Sequence, residues 1–307
     1  MHTLTKLISG LLFASTLLSH SVLQAAVMHQ VNAVPGGVVV IRLDKVKTRQ
    51  APTARFIKRK IMVTRKSATD PYWYAVIGVP LSVKPGQYKL LVTARTRSGS
   101  YIKKAYPFKI SYKKYRAQYI KIKNKRKVNP YKRDLTRIFA EYKVIKKAYS
   151  QWTPKSKVPL KFDPPVRGRF SGSYGSRRFF NKKPRKPHSG MDIAAPKGRP
   201  VRAPAKGRVI TIGHYFFNGK TIFLDHGQGL ITLYSHINKI KVKPGQHIAR
   251  GQIIGTVGKT GRATGPHLHW TVRLNGTSVD PALFMHRRYN RQSSTRKRRR
   301  RRKSNRH

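Results

Sequence analysis

The chain carries 68 lysines and arginines against eight aspartates and glutamates over 307 residues, a formal net charge of +60, and it contains no cysteine. Structural disulfides and a lipid-anchored N-terminal cysteine are thereby excluded. A charge of this size by itself describes a binder of polyanions, and the length allows more than one folded unit.

Lys6 precedes a mostly apolar stretch, Leu7 to Leu18, and Ala25-Ala26 closes it with small residues. This is the layout of a secretory signal peptide over residues 1–26, too short for a comfortable membrane span. No other long apolar run follows, so the mature chain is expected to be exported, periplasmic or envelope-associated, with no transmembrane segment. Residues 27–110 hold short β-rich runs at 37–46, 60–64, 73–81 and 87–93, with Pro35-Gly36 and Pro85-Gly86 as turn signals. Tyr88, Leu90 and Val92 alternate with Lys89, Leu91 and Thr93, which predicts a small β-sandwich with one face buried.

Residues 111–160 form a basic connector with sixteen lysines and arginines. Asn129 and Pro130 supply a capping residue and a first-turn proline. Leu135, Ile138, Phe139, Tyr142, Ile145 and Tyr149 then mark one helical face, expected to pack on one of the two flanking domains. A further unit is expected over residues 161–286. The last segment, 287–307, has twelve lysines and arginines and no acid, and is expected to be disordered. In an exported protein its available partners are anionic envelope polymers or lipid head groups, with nucleic acid the weaker alternative.

Eight histidines fall between residues 188 and 286. Two tight patterns stand out, His188-Ser-Gly-Met-Asp192 and His267-Leu-His269, with His236 between them in Leu-Tyr-Ser-His. Two imidazoles and one carboxylate suit a zinc ion that keeps a position open for water. The run His267 to Leu274 is rich in β-formers and ends at Asn275-Gly276, so it predicts a strand entering a hairpin turn, with His267 and His269 on one face. Between His188 and Asp192 a bend is needed, and Gly190 permits one. His214, His226, His247 and His286 are expected to lie outside the site, and Asp225 before Gly227 reads as a turn former.

On these residues the chain resembles the lysostaphin/LytM-type zinc endopeptidases, which cut peptide bridges in peptidoglycan. The resemblance runs from about Phe162 to Pro281 and rests on Gly172-Ser-Tyr-Gly-Ser-Arg-Arg178, Asn181, His188-Ser-Gly-Met-Asp-Ile-Ala-Ala195, Leu233-Tyr-Ser-His236 and Thr260-Gly-Arg-Ala-Thr-Gly-Pro-His-Leu-His-Trp270. It implies an antiparallel β-roll with the site in a groove, giving a mainly β fold of N-terminal sandwich, helical connector and C-terminal roll. It also implies one zinc per chain held by His188, Asp192 and His269, with His236 and His267 as unligated catalytic histidines. Thr271 departs from the acidic residue many members carry there. The sole glutamate, Glu141, lies far upstream, so a histidine must serve as the base. Which of the two does so stays open. Tyr234, two residues before His236, is expected to share its face and either to add a hydrogen bond there or simply to pack. Asn181 is expected to serve a surface turn, with an inhibitory approach to the metal as the alternative, and an N-terminal domain covering the groove would be a second inhibitory element. The implied function is hydrolysis of peptidoglycan cross-links outside the cytoplasmic membrane, the alternative being a non-catalytic envelope module on the same fold.

Overall fold

The computed structural model describes residues 27–44, 50–96, 98–155, 157–286 and 289. The expected signal peptide and the basic tail, Tyr289 apart, lie outside the described residues. The described chain is mainly β, as its short β-rich runs predict.

Six strands, β1 (Val38–Arg42), β2 (Thr53–Phe56), β3 (Arg59–Thr64), β4 (Tyr74–Gly78), β5 (Gly86–Arg95) and β6 (Tyr101–Ile110), form one sheet in the order β1-β4-β3-β2-β5-β6. The first half of β3 pairs with β2 and its second half with β4, so the sheet curls over at that strand. Phe56, Ile61, Ala75, Ile77, Leu90 and Val92 fill the space this closes. Along β5 the side chains at Leu90, Val92 and Ala94 are buried while Lys89 and Leu91 are exposed, as the alternation predicts. The sequence pattern missed β2 and β6. Strand β6 ends the sheet, is exposed over most of its length, and carries Lys103, Lys104, Pro107 and Lys109, which erase the alternation that marks a half-buried strand.

The connector contributes β7 (Ala117–Ile120) and one helix, α1 (Lys132–Tyr149). Asn129 does not cap it. The helix starts after Tyr131, whose N–H donates to Asp134 Oδ2 at 3.0 Å, and Arg126 holds the same carboxylate from the preceding turn. The predicted apolar face is split. Ile145, Ala148 and Tyr149 pack on Tyr215, Phe223 and Leu233, whereas Leu135, Phe139 and Tyr142 remain 38%, 62% and 59% exposed. Two polar anchors set this rotation: Glu141 Oε2 accepts from the Phe216 N–H at 2.7 Å, and Arg137 donates to the His214 carbonyl at 2.9 Å.

Beyond the connector follow β8 (Arg169–Gly172), β9 (Arg177–Phe180), β10 (Lys183–Arg185), β11 (Met191–Ala194), β12 (Pro200–Arg202), β13 (Gly207–Tyr215), β14 (Gly219–Gly227), β15 (Leu230–Ile240), β16 (His247–Ile248), β17 (Ile253–Val257), β18 (His267–Leu274) and β19 (Thr277–Val279). Ten of these make a curled antiparallel sheet with the path β16-β13-β14-β15-β18-β11-β8, to which β12, β17 and β19 attach. The remaining pair, β9 and β10, joins connector strand β7 in a separate three-stranded sheet. The predicted strand at His267–Leu274 is β18 itself. It turns at Asn275 and Gly276, both with positive φ (54° and 72°), into β19.

The N-terminal sheet docks at this turn. Gly78 N–H donates to Asn275 Oδ1 at 2.9 Å, and a Cβ on Gly78 would lie 2.6 Å from the Leu274 carbonyl oxygen, so only glycine permits the approach. Nearby, buried Gln228 accepts from the Val63 N–H at 3.0 Å and donates to the Val63 carbonyl at 2.9 Å, adding a side-chain rung to the edge of β3. Seven steps separate Leu274 from His267 and five separate it from His269, so at roughly 3.3 Å each this docking lies about 23 Å and about 17 Å along the strand from the two histidines. The N-terminal sheet is thus anchored at the end of β18 away from its histidines.

Removing Gln228 strands a buried N–H, whereas Phe139 has little burial to lose. Gln228→Ala is expected to lower unfolding free energy by about 2 kcal/mol, and Phe139→Ser to change it by less than ~0.5 kcal/mol. Urea unfolding checks both, and the reverse order of effects would contradict the packing described.

Candidate active site

Strand β18 gathers the site because of its place in the sheet. It lies between β11 and β15, with Asp192 opposite His269, Ala194 opposite His267, and Ser235 opposite His269. The i, i+2 spacing then puts His267 and His269 on one face, as the sequence predicts.

Three donor atoms converge there. His188 Nε2 lies 3.0 Å from Asp192 Oδ1 and 3.0 Å from His269 Nδ1, and His269 Nδ1 lies 2.8 Å from Asp192 Oδ1. A tetrahedral zinc ion with bonds of about 2.0–2.1 Å separates its ligands by about 3.3 Å, so this triangle is within a few tenths of an ångström of the right size. The tautomers agree. His188 Nδ1 faces the Ser173 carbonyl at 2.9 Å, an acceptor only, so the proton resides there and Nε2 presents its lone pair. His269 Nε2 is held by Thr271 Oγ1 at 3.0 Å, which leaves Nδ1 free to ligate. Thr271, where many related enzymes carry an acidic residue, thus still supplies an outer contact to His269. Arg178 donates to Asp192 Oδ2 at 2.5 Å, so one carboxylate oxygen is taken and the other points at the imidazoles. Burial brings His188 down to about 4, which keeps the ring neutral and able to bind a cation.

Two glycines make room for this arrangement. A Cβ at Gly172 would lie 2.4 Å from Asp192 Oδ2. At Gly190 it would meet the Trp270 carbonyl oxygen at 2.3 Å and Thr271 Oγ1 at 2.6 Å. Gly190 has no positive φ, so close approach to β18, and not the freedom to bend, is what requires glycine there.

His236 and His267 stand beside the triangle with ring centroids 4.7 Å apart. Each has its Nδ1 tied to a backbone carbonyl, His236 to Thr260 at 2.7 Å and His267 to Gly265 at 2.8 Å. The basic atom of each is therefore Nε2, and His267 Nε2 is 3.9 Å from Asp192 Oδ1. Burial lowers both rings, His236 to about 3 with the neighbouring histidines adding to the effect, so both are neutral near pH 7. His236 has φ 64°, a left-handed conformation inside β15. That residue interrupts the strand alternation.

Tyr234 consequently does not share the face of His236. It is fully buried opposite Trp270 and its hydroxyl bonds Thr232 Oγ1 at 2.9 Å. Asn181 is likewise occupied elsewhere. It sits with φ 49° at the β9–β10 turn, accepts from the Ile122 N–H at 2.8 Å and donates to the Ile122 carbonyl at 3.0 Å. Its amide pins the hairpin to the connector and is not free to approach the triangle. His226 is a core residue with both ring nitrogens bonded, to the Lys206 carbonyl and to Thr232 Oγ1. Asp225 accepts from the Gly227 N–H at 2.8 Å, the turn role expected of it. His214, His247 and His286 are exposed and away from the cluster. Sequence reasoning missed the supporting partners Arg178 and the carbonyls of Ser173, Thr260 and Gly265; a carbonyl leaves no mark on residue type.

Residues 186–281 match Peptidase family M23, and residues 31–113 match the Peptidase family M23 N-terminal domain. A solved peptidase M23 structure from Pseudomonas aeruginosa is 40% identical, with a TM-score of 0.67 over 84% of this chain and 97% of that one. The DD-carboxypeptidase/endopeptidase Mpg of Neisseria meningitidis serogroup B is 38% identical over 127 residues, 41% of this chain and 29% of its own. The peptidoglycan DD-endopeptidase ShyA of Vibrio cholerae is 40% identical over 113 residues, 36% of this chain and 26% of its own. The matched stretch thus spans less than a third of the length of these two relatives.

If the triangle holds a metal, its outer contact governs affinity. Thr271→Val should weaken zinc binding by about 10- to 100-fold while leaving the fold intact, and Asp192→Ala should abolish it. Competition against a fluorescent chelator, with circular dichroism as the folding control, measures this; stoichiometric zinc in Asp192→Ala would overturn the assignment.

Proposed function

We propose that this chain, which belongs to peptidase family M23, is an exported zinc-dependent endopeptidase that hydrolyses peptide cross-links of peptidoglycan in the cell envelope. The observation that carries the reading is the convergence of His188 Nε2, Asp192 Oδ1 and His269 Nδ1 beside two imidazoles fixed in the Nε2-basic tautomer. Support for the substrate comes from the relatives named for action on peptidoglycan, and support for export from the apolar stretch ahead of Ala25-Ala26. Among the described residues no helix is long and apolar enough to cross a membrane.

His188, Asp192 and His269 would hold the zinc. When bound, the ion supplies an acidified water as nucleophile and polarises the scissile carbonyl. The chain's own groups move the proton. A neutral imidazole whose Nδ1–H is committed to a carbonyl has only a lone pair at Nε2, so one of His236 and His267 accepts the proton of the attacking water there. Having taken it, the same ring can donate from Nε2 to the departing amine, while the other stands beside the developing oxyanion. Arg178 keeps Asp192 ionised and fixes which carboxylate oxygen faces the site. The basic tail, in this reading, holds the enzyme near anionic envelope polymers or lipid head groups and takes no part in the chemistry.

Purified protein incubated with cross-linked peptidoglycan should convert dimeric into monomeric peptides, read by mass spectrometry, and should lose this activity on chelation. His236→Ala should retain zinc and its melting temperature yet lose activity by at least about 100-fold. Digestion by that variant at the parent rate would refute the mechanism. A parent protein that binds peptidoglycan but releases nothing would favour a non-catalytic envelope module.

A further inference from the structure

The mouth of the site holds more positive charge than its one acid can neutralise. Three arginines, Arg178, Arg185 and Arg262, act on one another electrostatically, and among the described residues only Arg178 has a carboxylate partner, Asp192. Arg185 spends its donors on neutral oxygens, the carbonyls of Pro184 and Val128 and the side chain of Asn129. Arg262 is held differently. Its guanidinium carbon lies 4.7 Å from the Phe180 ring centroid and 4.5 Å from that of Phe217, a clamp between two aromatic faces. One edge is tied down, Nη1 donating to the Lys127 carbonyl at 3.3 Å. Among the described residues no acceptor faces Nε or Nη2.

The clamp is built next to the chemistry. Arg178, which bonds Asp192, lies over the same Phe180 ring with its guanidinium carbon 5.9 Å from the centroid. Arg262 follows by two residues Thr260, whose carbonyl orients His236, and its own N–H donates to the Phe217 carbonyl at 2.8 Å. The loop is closely packed at this point: Gly261 has φ 72°, and a Cβ there would lie 2.3 Å from the Gly219 nitrogen. A pre-oriented guanidinium with a free edge, stacked between rings and surrounded by like charge, is a receptor for a planar anion. Burial together with Arg178 and Arg185 lowers its pKa to about 10, so it stays charged at neutral pH while an arriving anion relieves the repulsion.

We infer that Arg262 binds a free carboxylate of the substrate on the flank of the scissile bond, so that this site selects anionic peptides. The inference rests on the peptidoglycan reading and gives it a specificity. Two sources present this group: the side carboxylate of a diaminopimelate residue within a cross-link, and the terminal carboxylate of an uncross-linked stem peptide.

The test uses two pairs of soluble peptides with the full-length protein, a cross-linked pair differing only in a free or amidated diaminopimelate carboxylate, and a linear pair differing only in a free or amidated C-terminus. The parent should prefer the free acid in one pair by about tenfold in kcat/KM, chiefly through KM, and the pair affected identifies the source. In Arg262→Gln that preference should collapse toward one, and Arg262→Lys should restore part of it, with zinc content and melting temperature as controls. A merely structural role slows free and amidated peptides alike and leaves the ratio at its parent value; that outcome, or a parent without preference in either pair, removes the inference. A zinc-loaded parent that cleaves none of the four peptides nor cross-linked peptidoglycan removes the endopeptidase reading itself.

Discussion

The Asp192 carboxylate is the contact around which the site is arranged. It is one of only eight acids in the chain, and it is buried. Burial alone would raise its pKa, but its close contacts with His188 and His269 hold it well below the usual carboxylate range. An ionised carboxylate in such a place must be fully paired. Arg178 takes one oxygen and the two imidazoles crowd the other, so the positions of β9, β11 and β18 are tied to a single group. Gly172 and Gly190 are the clearances that let those strands close on it.

Keeping that group in place is a matter of register. Asp192 meets His269 only because β11 pairs with β18 in one alignment, and a one-residue slip would turn the histidines to the opposite face. Contacts on either side of the site support the alignment. At one end the Asn275-Gly276 turn forms a two-residue hairpin and anchors the N-terminal sheet through Gly78. Next to Asp192, β9 is held in turn by the connector, through Asn181 and the parallel pairing of β7 with β9. The N-terminal sheet thus meets β18 at its turn, and the connector reaches the site through β9, whose Arg178 holds Asp192.

The distribution of charge has a structural counterpart. With so few acids, most are committed: Asp44 to Lys104, Asp134 to Arg126, Glu141 to Arg137 and the Phe216 N–H, Asp163 to Arg250, Asp192 to Arg178, and Asp225 to Thr153 and the Gly227 N–H. Most other cations face water, aromatic rings or carbonyls. Stacking of Arg262, Lys127 and Arg273 on Phe217, Phe216 and Tyr149 shows aromatic faces doing what carboxylates do in a less basic protein.

Local chemistry was legible in the sequence. Strand β18, its Asn-Gly turn, the shared face of His267 and His269 and the half-buried β5 all follow from period-two alternation and turn residues, which depend only on neighbours in the chain. What depended on distant segments was not. An exposed edge strand such as β6 buries too little to leave a pattern, and the rotation of α1 was set by Glu141 and Arg137 reaching the strand opposite. The face of Tyr234 was reversed by the left-handed backbone at His236, which the Asn218 and Thr260 carbonyls hold in place. The sequence by itself determined which residue types were available for a metal and a base. Only the tertiary structure decided which nitrogen of each histidine points inward, because that choice belongs to carbonyls and hydroxyls brought from other strands.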